Sequence, residues 1–315
     1  MLGNLIFSLG VALPIFLIML TGFILKEKSI IADNFIKAAN FIIFYIALPV
    51  KLFSSVLTSN VADNFDLKFI LFITAFTILS VIIIWIIAEL FLKEKSQMGA
   101  FIHGSFRGNF IYVGLSLLEN VTGTIGTVAP LIIAFIVPLY NILAVLVLTL
   151  SGDERNTGNN ILNSLKSMIK NPFIIAIFLG IIGSLVGFKM PKIINNTVQY
   201  FSMLVTPLAL ITIGATFNLD QVFKNILPSV LASGVKLVLL PLVMILTAAL
   251  FGFSNYEIFL IYILFGVPSA TVSYIMTATM GGDRELAASI VMMTTLLSIF
   301  SMTIFVFMFK SLSII

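Results

Sequence analysis

Three basic residues, Lys51, Arg107 and Lys236, stand within long apolar stretches of this 315-residue chain, whereas all 13 acidic residues fall between those stretches or at their ends. A charge in hydrocarbon is costly, so an intramembrane Lys or Arg faces protein or water and marks a functional candidate. A cationic excess with no acid at the same depth points to an anionic ligand. Arg107 opens the run Arg107-Gly108-Asn109, and the Asn109 amide can hydrogen-bond a carboxylate. The second half carries a comparable run, Gly266-Val267-Pro268-Ser269-Ala270. Gly lets a chain leave helical geometry, and Pro removes a backbone donor, so both runs are expected to interrupt helices. An interrupted helix exposes half-helix N-termini, whose free N–H groups and partial positive charge suit an anion. These eight residues form the candidate substrate site. Pro49, Pro207, Ser105, Thr271 and Lys236 are candidate supporting or hinge residues.

Each of these residues also has a plainer reading. Arg107 serves either the ligand or the broken backbone as a clamp. Asn109 serves either a carboxylate or the freed backbone groups. Lys51 and Lys236 each read also as snorkelling side chains, and for Lys51 that is the better reading. His103, the only histidine, reads as a packed polar residue rather than a proton relay. Pro14, Pro172 and Pro241 read as kinks or helix starts.

The elements that must hold these runs are membrane helices. The chain is 60% hydrophobic and 10% charged, with a mean hydropathy of +1.19. Soluble domains carry about 25% charged residues, so lipid must be the solvent here. The net charge of +4 therefore reads as Lys and Arg in cytoplasmic loops rather than a nucleic-acid surface. No cysteine is present, which excludes disulfides and thiol chemistry. Spans need roughly 17–25 apolar residues. Ten stretches qualify: 5–25, 35–58, 69–91, 98–118, 126–150, 172–188, 195–217, 226–251, 258–279 and 285–309. The first is too long for a signal-peptide core and has no basic flank, so it reads as a span.

With the N-terminus outside, ten Lys and Arg fall in inside loops, four outside and three within spans. Both termini are thus expected outside a plasma membrane. A shift of 158 residues also superposes Pro14 on Pro172, Gly22 on Gly180, Pro49 on Pro207, Asn60 on Asn218, Phe65 on Phe223, Ser96 on Ser254, Phe101 on Phe259, Gly108 on Gly266 and Gly123 on Gly281. It sets span 1 on span 6 and span 2 on span 7. Five spans per half is odd, so the second half must enter the membrane inverted, as in many secondary transporters. The expected organisation is a first repeat over 1–150, a cytoplasmic loop at 151–171 and a second repeat over 172–315.

At these residues the chain resembles the auxin efflux carrier family along essentially its whole length. The family's fourth span carries Asn, four residues, then Gly-Ile-Pro-Leu; here Asn109 leads to Gly114-Leu115-Ser116-Leu117, with Ser116 in place of the Pro. Its ninth span has a Pro-led crossover, then an Ala and an acid before the last span, matched by Pro268, Ala278 and Asp283. Leu48-Pro49 and Thr206-Pro207 look like its paired prolines. The resemblance implies an all-α fold similar to bile-acid/sodium symporters: ten transmembrane helices in two inverted five-helix repeats, with broken helices 4 and 9 crossing. It implies a scaffold and homodimer contact from helices 1, 2, 6 and 7. A moving bundle of helices 3–5 and 8–10 would carry substrate by an elevator step. Asn109, Pro268 and their neighbours would line the site.

The expected function is secondary transport of a small organic anion such as malonate, malate or an auxin-like acid, with no enzymatic activity. No cofactor or metal is expected, and the coupling ion, H+ or Na+, is left open. Ser105, Ser269, Thr271 and Ser273 offer hydroxyls to Na+, but no acid lies in either run. The alternative is a sodium-coupled symporter of a bile-acid-like substrate on the same fold. An intramembrane enzyme would need a base, and only His103 is placed to be one. A channel would lack saturable counterflow.

Overall fold

The computed structural model describes residues 2–58, 66–92, 94–151, 172–218, 220 and 225–315, apart from the side chain of Thr279. Beyond Ser151, the loop expected at 151–171 lies outside these residues. So do Asn60, Phe65 and Phe223 of the repeat, and Lys93, Arg155, Lys166, Lys170 and Lys224 of the charge count. Every described element is a helix: α1 Leu2–Glu27, α2 Asp33–Leu57, α3 Leu67–Phe91, α4 Lys95–Phe106, α5 Phe110–Thr122, α6 Val128–Leu150, α7 Pro172–Leu185, α8 Lys192–Ala215, α9 Ile226–Leu250, α10 Asn255–Gly266, α11 Thr271–Thr279 and α12 Arg284–Ser311. Among them α1, α2, α3, α6, α8, α9 and α12 are long and apolar enough to cross a membrane, while α5, α7 and α10 are shorter apolar helices.

Helix follows from the solvent. Backbone groups in hydrocarbon must be satisfied within their own segment, and a helix does this without partners. The faces are also turned relative to a soluble protein. On α3, Thr77 and Ser80 point inward with Ile73, Ile84 and Ala88, while Leu79, Ile82, Ile83 and Ile86 are exposed.

Proline reshapes two helices. Pro49 and Pro241 cannot donate to the carbonyl four residues back, and their rings crowd it. The turns before them widen into π segments, Ile43–Ala47 in α2 and Val235–Leu239 in α9. Leu48 N–H reaches Ile43 O and Leu240 N–H reaches Val235 O, each five residues back. Pro207 differs from Pro49, since it lies inside the uninterrupted α8.

The packing contacts come in matched pairs. α1 packs on α8, and α7 packs on the second half of α2. α3 packs on α4, and the second half of α9 on α10; α3 also meets α6, and the first half of α9 meets α12. Helix starts set side by side differ by 159 residues for Leu67 and Ile226, 160 for Lys95 and Asn255, 161 for Phe110 and Thr271, and 156 for Val128 and Arg284. None of these helix starts is set 158 residues from its counterpart. Ser96 is the second residue of α4, whereas Ser254 caps α10 from outside it. The physical reason is that the connection before α10 (251–254) is one residue longer than the one before α4 (92–94).

The α1–α8 contact depends on two glycines. A Cβ on Gly22 would collide with the backbone of Ile211, and one on Gly214 with the backbone of Met19. Small residues let helices approach this closely where no hydrophobic force drives association. Gly214→Leu is expected to separate α1 from α8 and leave little folded protein. Size-exclusion chromatography and thermal unfolding in detergent would check this, with Gly3→Leu, whose Cβ would meet open space, as the tolerated control.

Candidate functional site

The two interruptions meet. α4 ends at Phe106 and α5 begins at Phe110, while α10 ends at Gly266 and α11 begins at Thr271. Between them Asn109 N–H donates to Pro268 O at 2.7 Å, and Ala270 N–H donates to Arg107 O at 3.0 Å. These reciprocal bonds make an antiparallel bridge of Gly108 and Ser269. Freed backbone groups thus satisfy each other across the chain's two halves, as buried backbone must. Pro268 holds Val267 extended, at φ −74° and ψ 157°. Gly108 is needed because a Cβ there would stand 2.9 Å from both Leu264 O and Lys236 Nζ.

Four half-helix ends gather at this junction. The first turns of α5 and α11 border one cavity of about 600 Å³, lined there by Asn109, Phe110, Ile111, Tyr112, Ala270, Thr271 and Val272. The first N–H groups of a helix lack intrahelical partners and carry its positive pole. Asn109 Oδ1 accepts from Tyr112 N–H at 3.4 Å, and Ala270 offers no side-chain cap to α11. Val113 and Gly114 N–H both reach Asn109 O, so α5 opens with a π turn, a feature frequent at functional sites.

Arg107 reaches into the same cavity. One guanidinium nitrogen, Nη2, donates to Asn141 Oδ1 at 2.9 Å; Nη1 lies 3.3 Å from Met276 Sδ, and the group stands 5.9 Å from the Tyr140 ring centroid. All three partners are neutral. Lys37 is the other cation on the lining, and among the described residues no Asp or Glu lines it. Phe41, Phe44, Ile133 and Phe173 give the cavity a mostly apolar wall.

The structure divides the sequence-derived candidates into two groups. Arg107, Gly108, Asn109, Ala270 and Thr271 line the cavity. Gly266, Val267, Pro268, Ser269, Ser105 and Lys236 are buried outside the lining. Ser269 fastens the junction: its Oγ donates to Gly104 O, and its N–H donates to Thr294 Oγ1 at 3.1 Å. Pro49 and Pro207 lie off the lining as well. Asn40, Tyr140, Asn141 and Thr212 line the cavity without having been singled out by the sequence. Asn141 had one available signal, a lone amide in the apolar run of α6.

Two readings of the charges change. Lys51 does not snorkel: it is buried, and Nζ lies 2.8 Å from both carboxylate oxygens of Glu119, which also accepts from Thr206 Oγ1 at 3.0 Å. In the sequence Glu119 reads as an acid in the last turn of a span, a position that gives no sign of a partner on another helix. Lys236 Nζ is held by the carbonyls of Phe106 and Phe265. The cationic excess available to a ligand therefore narrows to Arg107, with Lys37 at the rim. Asp283, matched to a family acid, caps α12 by accepting from Leu286 N–H at 2.9 Å. Ser116, where the family has Pro, donates to Tyr112 O at 2.6 Å. Neither His103 nitrogen nor Ser105 Oγ has a hydrogen-bond partner among the described residues, so the two do not form a nucleophile–base pair.

A family described as "Membrane transport protein" matches residues 7–306. A Rhizobium meliloti protein named "Putative malonate transporter" is 25% identical over 310 residues, covering 96% of both chains. An uncharacterized transporter of Methanocaldococcus jannaschii is 24% identical over 300 residues, covering 92% of this chain and 95% of its own. Another from Methanothermobacter thermautotrophicus is 24% identical over 298 residues, covering 94% and 96%.

Proposed function

The chain belongs to the auxin efflux carrier family of membrane transport proteins and is a transporter rather than an enzyme, and from that premise we propose that it is a secondary carrier of small carboxylates. One observation carries the reading: Arg107 and the positive ends of two half-helices line a single cavity that, among the described residues, contains no acid. Preorganised N–H donors and one guanidinium hold a carboxylate in such a place better than water does, because the surrounding dielectric is low. The substrate named for the Rhizobium meliloti relative is a carboxylate of this class.

The architecture we propose has ten spans in two inverted halves, with α4–α5 and α10–α11 each making one interrupted span. The matched packing pairs support it. α1, α2, α7 and α8 form the scaffold and dimer contact; the rest moves against them as an elevator. The cavity fits this division, since α2 and α8 supply one wall and α5, α6 and α11 the other. It reaches Lys37 and Thr216, and two neighbouring clefts share Thr216 at the same end. Lys26, Lys37 and Arg284 cluster there, which supports reading it as the cytoplasmic end of a plasma-membrane protein with both termini outside. On that reading the cavity opens inward. Lys51, Glu119 and Thr206 close the opposite end, joining α2 and α8 to α5.

The mostly apolar wall favours a second reading, sodium-coupled symport of a bulkier acid of the bile-acid class. Counterflow in proteoliposomes separates the two. Labelled malonate, malate, a monocarboxylate, an indole acid and a bile acid would be tested with and without a sodium gradient. Saturable exchange of a small acid independent of sodium is expected. Sodium-dependent uptake of the bile acid alone would select the second reading, and no exchange by folded protein would overturn both.

A further inference from the structure

Behind the junction, away from the cavity, Lys236 is fully buried in the π turn of α9. Its Nζ donates to Phe265 O at 2.9 Å and to Phe106 O at 3.3 Å. These are carbonyls of the last turns of α10 and α4, two half-helices from opposite halves of the chain. Each helix C-terminus carries unpaired carbonyls and a partial negative charge. Two such ends meeting in a low dielectric repel each other and require a cation between them. Half-helix C-termini in transporters commonly obtain it by coordinating a free ion. Here the position is filled by a side chain. The backbone closes tightly on it, since a Cβ on Gly108 would stand 2.9 Å from Nζ. No acid pairs with Lys236 among the described residues, so its charge is committed to the two carbonyls.

We infer that Lys236 is a tethered cation occupying the junction's cation site, so that the protein needs no sodium there, and that removing the side chain uncovers a site for a small primary alkylammonium ion. The inference deepens the carrier reading by assigning its cation, but it does not depend on which acid is carried.

Purified Lys236→Ala is tested by thermal unfolding, which requires no substrate, and by acid exchange in proteoliposomes. The alanine variant lacks three carbons and the amine. Propylammonium replaces them; tetramethylammonium carries the same charge without an N–H. The expected result is that propylammonium raises the unfolding temperature of Lys236→Ala by several degrees, tetramethylammonium leaves it unchanged, and wild type responds to neither. Exchange by Lys236→Ala falls about tenfold or more, the scale of leaving buried polar groups unpaired, and propylammonium restores it. Lys236→Met fills the volume without the charge and is not rescued. Wild-type stability in Lys236→Met, or no response of Lys236→Ala to any primary amine, would overturn the inference. Wild-type unfolding in sodium-free choline medium provides an arm that needs no variant: sodium should not stabilise the protein, and a clear sodium-dependent rise would overturn the inference. Failure of every acid to exchange would sink the carrier reading while leaving the unfolding results to decide this one.

Discussion

Arg107→Ala is expected to slow exchange of the transported acid about 30-fold or more while leaving the protein folded, because truncating one partner of a desolvated charge pair costs about 2–5 kcal/mol. The backbone role of this residue survives the substitution: Ala270 N–H still has the residue-107 carbonyl to bond. The lost group is the guanidinium that faces the cavity beside Asn141. Arg107→Lys keeps the charge but not the planar fork that grips Asn141 and a carboxylate together, so it should fall between alanine and wild type. Asn141→Ala removes a neutral partner and should cost less than Arg107→Ala. Initial rates of counterflow, paired with unfolding temperatures, check the set. Loss of exchange with a matching loss of stability would instead make Arg107 the clamp on the broken backbone.

The second large effect concerns the Lys51–Glu119 pair. Glu119→Ala leaves a buried ammonium without its partner. Breaking a buried ion pair from one side costs about 3–5 kcal/mol, and the partial exposure of Glu119 reduces that here to about 1–3 kcal/mol. Lys51→Met together with Glu119→Leu should regain most of the loss, since apolar replacement of both partners is often neutral or better. Unfolding temperatures of the two singles and the double would show whether the cycle closes this way. Under the elevator reading the double variant also loosens the closed end, because α5 must part from α2 and α8 when that end opens. A reporter cysteine near Glu119 should then react faster from that side.

Much of this was legible in the residues. Gly and Pro in otherwise apolar runs marked where the helices would fail, and Arg107 and Asn109 stood out as polar groups at those points. Two things were not legible. One was partnership across the fold. Glu119 meets Lys51 from 68 residues away, and Lys236 meets Phe106 from 130 away, so periodicity along one helix carries no trace of either. The other was sidedness of the junction. Along the sequence Pro268 and Ser269 look equivalent to Ala270 and Thr271, yet the bridge turns the first pair into the protein and the second toward the cavity. Identical residues at a fixed spacing also carry no record of where a helix starts, so a shift of 158 could not give the offset of 160 between Lys95 and Asn255. Pro241, read as a kink or helix start, sits just after the π turn that carries Lys236.

The central claim is that a carboxylate occupies the Arg107 cavity, and the absence of cysteine from the chain allows a direct test. Val137→Cys would place a single thiol on the cavity wall away from the charged groups, and Asn255→Cys would place one at the exposed start of α10. The rate of methanethiosulfonate labelling is then measured with and without a saturating concentration of the best-exchanged acid. Protection of Val137→Cys but not of Asn255→Cys, abolished when Arg107→Ala is added, is the predicted result. Unchanged labelling of Val137→Cys in the presence of an acid that the protein demonstrably exchanges would place the substrate elsewhere and contradict the assignment.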